Sequence, residues 1–183
     1  MVSYHEVRQR WESDPVEFWR QAANQIEWIN SPKEILDETQ APLYRWYPDG
    51  VLNTCANALD RHVASGRGEQ VAILYDSPLT GSKRAITYRE LLDQVSLFSG
   101  GLASLGVNKG DRVLIYMPMV PEAAIAMLAC ARLGAVHSVV FGGFAAAELA
   151  ARIDDAEPIV IVSASCGIEP SRIVEYQPII EAA

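Results

Sequence analysis

Lysine is scarce in this sequence: Lys33, Lys83 and Lys109 stand far apart. With 15 basic residues against 23 acidic ones, the formal charge is −8. A nucleic-acid surface needs clustered Lys and Arg, so that class of partner is excluded. Cysteine is as thin. Cys55, Cys130 and Cys166 are an odd number, widely spaced, with no CxxC pair. That argues against a disulfide framework and against zinc, and leaves reduced thiols in a cytosol. The opening MVSYHEVRQRW has neither the apolar core of a signal peptide nor the acid-poor character of a transit peptide. The longest apolar stretch, 123–140, is interrupted by Arg132, Gly134 and His137. It fits a buried helix followed by a buried strand better than a membrane span. Internal repeats and low-complexity segments are absent as well. The expectation is a soluble cytoplasmic protein with neither a membrane nor a nucleic acid as partner.

What is present is apolar material in alternating blocks. Half of the 183 residues are hydrophobic, enough to build a core. Residues 1–30 have a helical pattern, with Asp14-Pro15-Val16-Glu17 as a helix start. Asp14 can cap, Pro15 suits the first helical position and Glu17 can close a capping box. Residues 31–52 are broken by Pro32, Pro42, Pro48 and Asp49-Gly50, yet carry Tyr44, Trp46 and Tyr47, so this is a packed loop rather than a free one. Asn53 opens a helix to about Val63, which Gly66 and Gly68 end. Strands are expected at 71–75 and 85–88, joined by a hairpin loop, then a helix at 88–105 stopped by Gly106.

From residue 112 onward strand and helix alternate: strands at 112–117, 135–141 and 158–162, helices at 121–133 and 145–155. Apolar strands separated by helices of this length predict an α/β fold, a parallel sheet flanked by helices and doubly wound. Residues 1–65 read as an N-terminal helical and loop extension, and residues 66–183 as the start of the α/β domain.

Open α/β sheets bind ligands beyond the carboxyl ends of their strands. Three segments qualify: Met117-Pro118-Met119, Phe141-Gly142-Gly143-Phe144 and residues 163–167. The glycine pair lets backbone N–H groups approach a ligand and permits φ > 0, and the next helix aims its N-terminus at the same place. A tight turn with no ligand explains the pair equally simply, and by the residues alone that plainer reading is favoured. His137, inside an apolar strand, reads as a core histidine rather than a base. Cys166, next to Gly167 in a loop, has no sequence-local base. Asp154, Asp155 and Glu157 read as a solvated helix end, although a carboxylate pair can bind metal. Thr80-Gly81-Ser82-Lys83 lacks the first glycine of a phosphate loop and joins two strands, so it reads as a hairpin. No complete catalytic set and no metal site emerges.

The stretch 106–153, GVNKGDRVLIYMPMVPEAAIAMLACARLGAVHSVVFGGFAAAELAARI, closely resembles the AMP-forming acetyl- and propionyl-CoA synthetases. Ile86-Thr87-Tyr88-Arg89-Glu90-Leu91 is similar to that family's early TYxEL motif. Trp46, Pro48, Asp49, Gly50, Leu52 and Asn53 resemble its N-terminal extension. The run from Ser165 to Pro170, with Arg172 and Tyr176 after it, looks like the propionyl-CoA branch. Acetyl-CoA synthetases tend to carry arginine where Glu169 stands.

The resemblance implies an acid–thiol ligase. A carboxylate attacks the α-phosphate of ATP in the presence of magnesium, and the CoA thiol then takes the acyl group. It places Phe141, Gly142 and Gly143 beside the CoA nucleotide, with Arg172 reaching the CoA phosphates. Glu169 there would repel a phosphate. No catalytic residue is assigned. The family's Ser/Thr/Gly-rich loop ending in Pro-Lys-Gly does not occur in these residues. The chain is therefore expected to be an N-terminal fragment, inactive alone, holding neither ATP nor magnesium nor CoA tightly, and able to self-associate. The alternatives are a stand-alone CoA- or nucleotide-binding module and an interaction domain without a ligand.

Overall fold

The computed structural model describes residues 3–183. The chain forms two compact units, one ending at Asn53 and one spanning Thr54–Ala183.

In the first unit, α1 (Tyr4–Ser13) opens on Ser3. The Ser3 N–H donates to Glu6 Oε2 (2.6 Å) and the Glu6 N–H donates to Ser3 Oγ (3.3 Å), a reciprocal cap. Helix α2 (Pro15–Ala23) starts as its sequence predicts, with Pro15 in its first turn. The Glu17 N–H donates to the Asp14 carboxylate at 2.9 Å. Glu17 turns its own carboxylate to Arg20 and Gln21 rather than back to the cap. The proline-broken segment holds two short antiparallel strands, β1 (Leu36–Asp37) and β2 (Arg45–Trp46). Its aromatics pack on each other and on α2. Trp46 lies 5.6 Å from Trp19 between ring centroids, and the Tyr47 hydroxyl donates to the Trp19 carbonyl at 2.8 Å.

The second unit begins with a helical run over residues 54–67. It passes the expected end at Val63 and widens into π-type turns at Ala56–Asp60 and Val63–Arg67, with Gly66 at φ 84°. Strands β3 (Val71–Ser77) and β4 (Ser82–Thr87) form an antiparallel hairpin. Lys83 pairs with Asp76 across it at 2.8 Å, so the glycine–lysine segment serves the hairpin. Thr87 then caps α3 (Tyr88–Ser104). Its N–H donates to Glu90 Oε2 (2.8 Å) while the Glu90 N–H donates to Thr87 Oγ1 (3.2 Å).

The parallel sheet follows: β5 (Arg112–Met117), α4 (Pro121–Leu133), β6 (Val136–Phe141), α5 (Ala146–Ala156) and β7 (Val160–Ser163). Strand order is β6-β5-β7, all parallel. Central β5 is a continuous apolar run, and Val113, Leu114, Ile115 and Tyr116 are 0% exposed. That is what burial on both faces demands. Val113 and Ile115 meet α3 and α4 on one face. Leu114 and Tyr116 meet Leu149 of α5 and Tyr176 on the other. The chain moves from β5 to β6 in one direction and from β6 to β7 in the opposite one. Crossovers of one hand must then cover opposite faces, which makes the sheet doubly wound.

One expectation is corrected beyond β7. The segment read as a loop there folds into an antiparallel hairpin, β8 (Cys166–Glu169) and β9 (Arg172–Glu175), turned by Pro170-Ser171 and followed by α6 (Tyr176–Glu181).

Candidate functional site

The connections after β5 and β6 leave toward opposite faces of the sheet, so a crevice opens between the carboxyl ends of these two strands. Met117 and Phe141 are the last registered pair there. A cleft of about 370 Å³ occupies that position. Met117, Pro118, Phe141, Gly142 and Gly143 line it from the sheet, and Gly167, Glu169 and Tyr176 from the hairpin and α6. A larger hollow, about 820 Å³, runs along α3 and β7 between Leu97, Phe98, Leu105 and Val160. Its carboxylate, Glu122, is held by Arg84 at 2.9 Å. That hollow is an apolar groove without convergent polar groups, whereas binding sites combine apolar walls with a few placed polar ones.

The two glycines of the turn have different jobs. Gly142 is buried, and a Cβ on it would meet the Tyr176 hydroxyl and the Met117 carbonyl, the latter at 2.9 Å. Gly143 is exposed, and a Cβ on it would meet the Phe141 ring at 2.6 Å. Neither has the left-handed backbone that sequence reasoning allowed for them; the positive-φ glycines are elsewhere. Space, not φ, is what requires glycine here. The turn closes by the Phe144 N–H donating to the Phe141 carbonyl (3.0 Å). The Tyr116 hydroxyl, from the buried face of β5, donates to the Phe144 carbonyl at 2.7 Å. The core thus fixes the position of the turn.

Phe141, Gly142 and Gly143 therefore come together at one crevice. Arg172 is not among the residues lining it. It stands exposed on β9, and its Nε donates to Glu169 Oε2 at 2.8 Å. That bond holds the Arg172 guanidinium above its ordinary value. Glu169 does line the cleft, but its charge is already matched by Arg172. Solvent screens an exposed pair of this kind and leaves it weakly held, so an incoming anion can exchange with the carboxylate. Helix α5 starts beside the turn with no side-chain cap on its first N–H groups, and carries Glu148 in its first turn.

The remaining candidates do not join this site. Burial pushes the Cys130 thiol up to about 11 and also raises Cys55, so neither is a nucleophile near neutral pH. Cys166 sits on β8 opposite Glu175. His137 is half-buried on β6 opposite Val113. Asp154 and Asp155 are exposed on α5. Among the described residues no three His, Cys, Asp or Glu side chains come together as metal ligands. The residue that sequence reasoning missed as part of the site is Tyr176. Its signal was present in two glycines, 142 and 167, that make room for one large side chain.

Comparison with known proteins gives a consistent picture. Residues 59–181 match the family model described as AMP-binding enzyme, and residues 4–58 match that of the acetyl-coenzyme A synthetase N-terminus. Human acyl-CoA synthetase short-chain family member 3, mitochondrial, is 52% identical over 171 residues, which is 93% of this chain and 25% of that protein. Acetyl-coenzyme A synthetase of Streptomyces coelicolor is 46% identical over 178 residues, 97% of this chain and 27% of that one. Among solved structures, an acetoacetyl-CoA synthetase from Streptomyces lividans superposes with a TM-score of 0.87 at 26% identity, over 99% of this chain and 28% of its own. The chain thus spans little more than a quarter of the length of these relatives.

Proposed function

Because the chain belongs to the AMP-binding enzyme family, we propose that it forms the N-terminal part of a short-chain acid–CoA ligase. In the full-length enzyme a carboxylate oxygen attacks the α-phosphorus of ATP. The bond to the β-phosphate breaks, and acyl-AMP and pyrophosphate form. The sulfur of CoA then attacks the acyl carbon, the thiol proton is lost, and AMP leaves. Positioning and charge neutralisation carry such chemistry. Residues of this segment take part in the second step only. Phe141, Gly142 and Gly143 receive CoA at the crevice, and Arg172 exchanges its Glu169 partner for a CoA phosphate. ATP and magnesium are held by other parts of the enzyme.

The observation that carries this reading is the glycine turn at the switch point of the sheet, in a chain with this family match. Propionate is the acid we assign, ahead of acetate, on the Ser165–Pro170 run with Glu169 in place of arginine. The 52% identity to a short-chain acyl-CoA synthetase family member and 46% to an acetyl-coenzyme A synthetase support a short-chain acid. We place the enzyme in the cytoplasm; among the described residues no helix is long and apolar enough to cross a membrane. The test is acid-dependent ATP–pyrophosphate exchange by the full-length enzyme with acetate, propionate and butyrate. Propionate should give the highest kcat/KM. A preference for acetate overturns the acid assignment, and no exchange with any short acid overturns the function.

A further inference from the structure

Charge is unevenly spread around the crevice. From Glu157 to Ala183 the sequence has one basic residue, Arg172, against Glu157, Glu169, Glu175 and Glu181. Glu169 and Arg172 are the registered pair that closes the β8–β9 hairpin, on either side of Pro170-Ser171. Residues directly opposite in antiparallel strands project from the same face, so these two side chains meet. Arg172 Nε donates to Glu169 Oε2 at 2.8 Å. The partners do not stand in equivalent places. Glu169 lines the cleft, with its side chain 40% exposed, whereas Arg172 lies outside it and is 67% exposed. Arg152 also stands near the turn, but it lies over the Phe144 ring, 4.6 Å from the centroid, and is bound to Glu148 of its own helix. Among the described residues no Lys, Arg or His lines the cleft itself.

Glu169 therefore holds, from the cleft side, the one cation of this segment that an incoming phosphate could use. A carboxylate and a phosphate make the same kind of charge-assisted bond to a guanidinium, so the two compete for it. The exposed pair is weak enough to open, but opening it has two costs. The existing bond is lost, and the released carboxylate stays at the rim beside a second negative group. The apolar walls, Met117, Val139 and Ile168 among them, offer nothing to offset that repulsion. We infer that Glu169 is a specificity-determining residue acting through Arg172: it occupies the guanidinium in the free enzyme and weakens the binding of thiols that carry a phosphate, relative to thiols that carry none. This rests on the reading of the crevice as the place of the CoA nucleotide. An acyl-CoA product bears the same nucleotide, so the same carboxylate eases its release. Glutamine at position 169 would keep the length of the side chain and an acceptor for Arg172, and remove only the competing charge.

The experiment uses the full-length enzyme with Glu169→Gln and, separately, Arg172→Gln. Thioester formation is measured with CoA and with pantetheine, the thiol arm without phosphates. Glu169→Gln should lower the KM for CoA by about two- to fivefold, the range of a weak exposed ion pair, while kcat and the KM for pantetheine change little. Glu169→Ala should move the KM for CoA in the same direction. The gain should shrink as salt is raised, because screening weakens the competition. A KM for CoA that Glu169→Gln leaves unchanged or raises, an equal fall for both thiols, or a gain that salt does not touch overturns the inference. Arg172→Gln separates it from the reading beneath it. If that variant raises the KM for CoA and Glu169→Gln does not lower it, only the role of Glu169 fails. If neither substitution moves the KM for CoA, the crevice is not the CoA site.

Discussion

Gly142 and Gly143 are indistinguishable as letters and separable as atoms. A methyl group on Gly142 has no room, because the Met117 carbonyl and the Tyr176 hydroxyl close the space from two sides. Gly142→Ala should therefore lower unfolding stability by about 1–3 kcal/mol, the cost of overpacking, measured by urea unfolding. Gly143 meets only the Phe141 ring, which is 65% exposed and free to swing aside. Gly143→Leu should cost less stability and instead raise the KM for CoA in the full-length enzyme by about tenfold or more, leaving ATP–pyrophosphate exchange largely intact. Equal damage to the two half-reactions would show that residue 143 does not serve the thiol. Sequence reasoning singled out this pair for backbone freedom, whereas the structure requires glycine at both positions for space. Backbone freedom can be inferred from any glycine, whereas a neighbour that needs its space comes from elsewhere in the chain.

Cys130 shows the same limit. A lone cysteine in an apolar helix gives no ionisation behaviour by itself; burial under α3 and β5 supplies it. Its ordinary value is 9.0 and its folded value about 11, raised by desolvation. Below about pH 9 both states hold the proton, and the folded state loses nothing. Above that, the unfolded chain gives up the proton while the folded one keeps it, so stability falls until about pH 11. Urea midpoints taken between about pH 8 and pH 11 should drop, and drop less in Cys130→Ala. An identical profile for the two would mean that this thiol does not contribute.

At the scale of elements, legibility follows how local the determining interactions are. The start of α3 is written in consecutive residues. Thr87 and Glu90 close a reciprocal cap, and Ile86-Thr87-Tyr88-Arg89-Glu90-Leu91 reads as one. Thr87→Ala should cost about 1 kcal/mol of unfolding stability, read from the urea midpoint. The hydrogen bonds from Thr87 lower the Glu90 carboxyl, so the support it gives is present above its unfolded value and is lost as the pH falls through the lowered one. The three parallel strands were legible because short β-rich apolar segments alternate with helices, and central β5, buried on both faces, keeps an unbroken apolar run from Val113 to Tyr116. The β8–β9 hairpin was not. Each strand has four residues, one carries Gly167, and the turn is flanked by Glu169 and Arg172. Its stability comes from pairing and from Tyr176 beneath it, and neither leaves a periodic trace.

At the scale of the whole molecule, the sheet has two unpaired edges. Among the described residues β6 and β7 each pair only with β5. Val136, Val139 and Phe141 are more than half exposed on β6, and the apolar groove of about 820 Å³ runs along β7. Edges of this kind invite pairing with another chain. The 183 residues expressed alone should therefore self-associate, with a sedimentation coefficient that rises with concentration. A concentration-independent monomer would show that the edges are protected.

The same 183 residues should make no acyl-CoA by themselves. Forming an acyl-adenylate requires the triphosphate, a metal and the carboxylate to be held in line, and positioning of that kind supplies roughly 7–11 kcal/mol of barrier reduction. Its usual means are backbone N–H groups of a glycine-rich loop between strand and helix, together with a cationic side chain. Here the segment nearest in composition to such a loop, at Gly81, Ser82 and Lys83, joins two antiparallel strands, and Lys83 is engaged with Asp76. The turn at Gly142 and Gly143 does lead from a strand to a helix, but Tyr176 and apolar side chains fill its surroundings rather than cations. No trio of metal ligands forms among the described residues, and the formal charge of −8 opposes a polyanion. AMP release by the purified 183-residue polypeptide with MgATP, CoA and propionate should stay at the level of a blank without it. Turnover at ordinary enzyme rates, on the order of 1–10³ per second, after contaminating synthetase has been removed would show that the adenylation machinery lies within these residues.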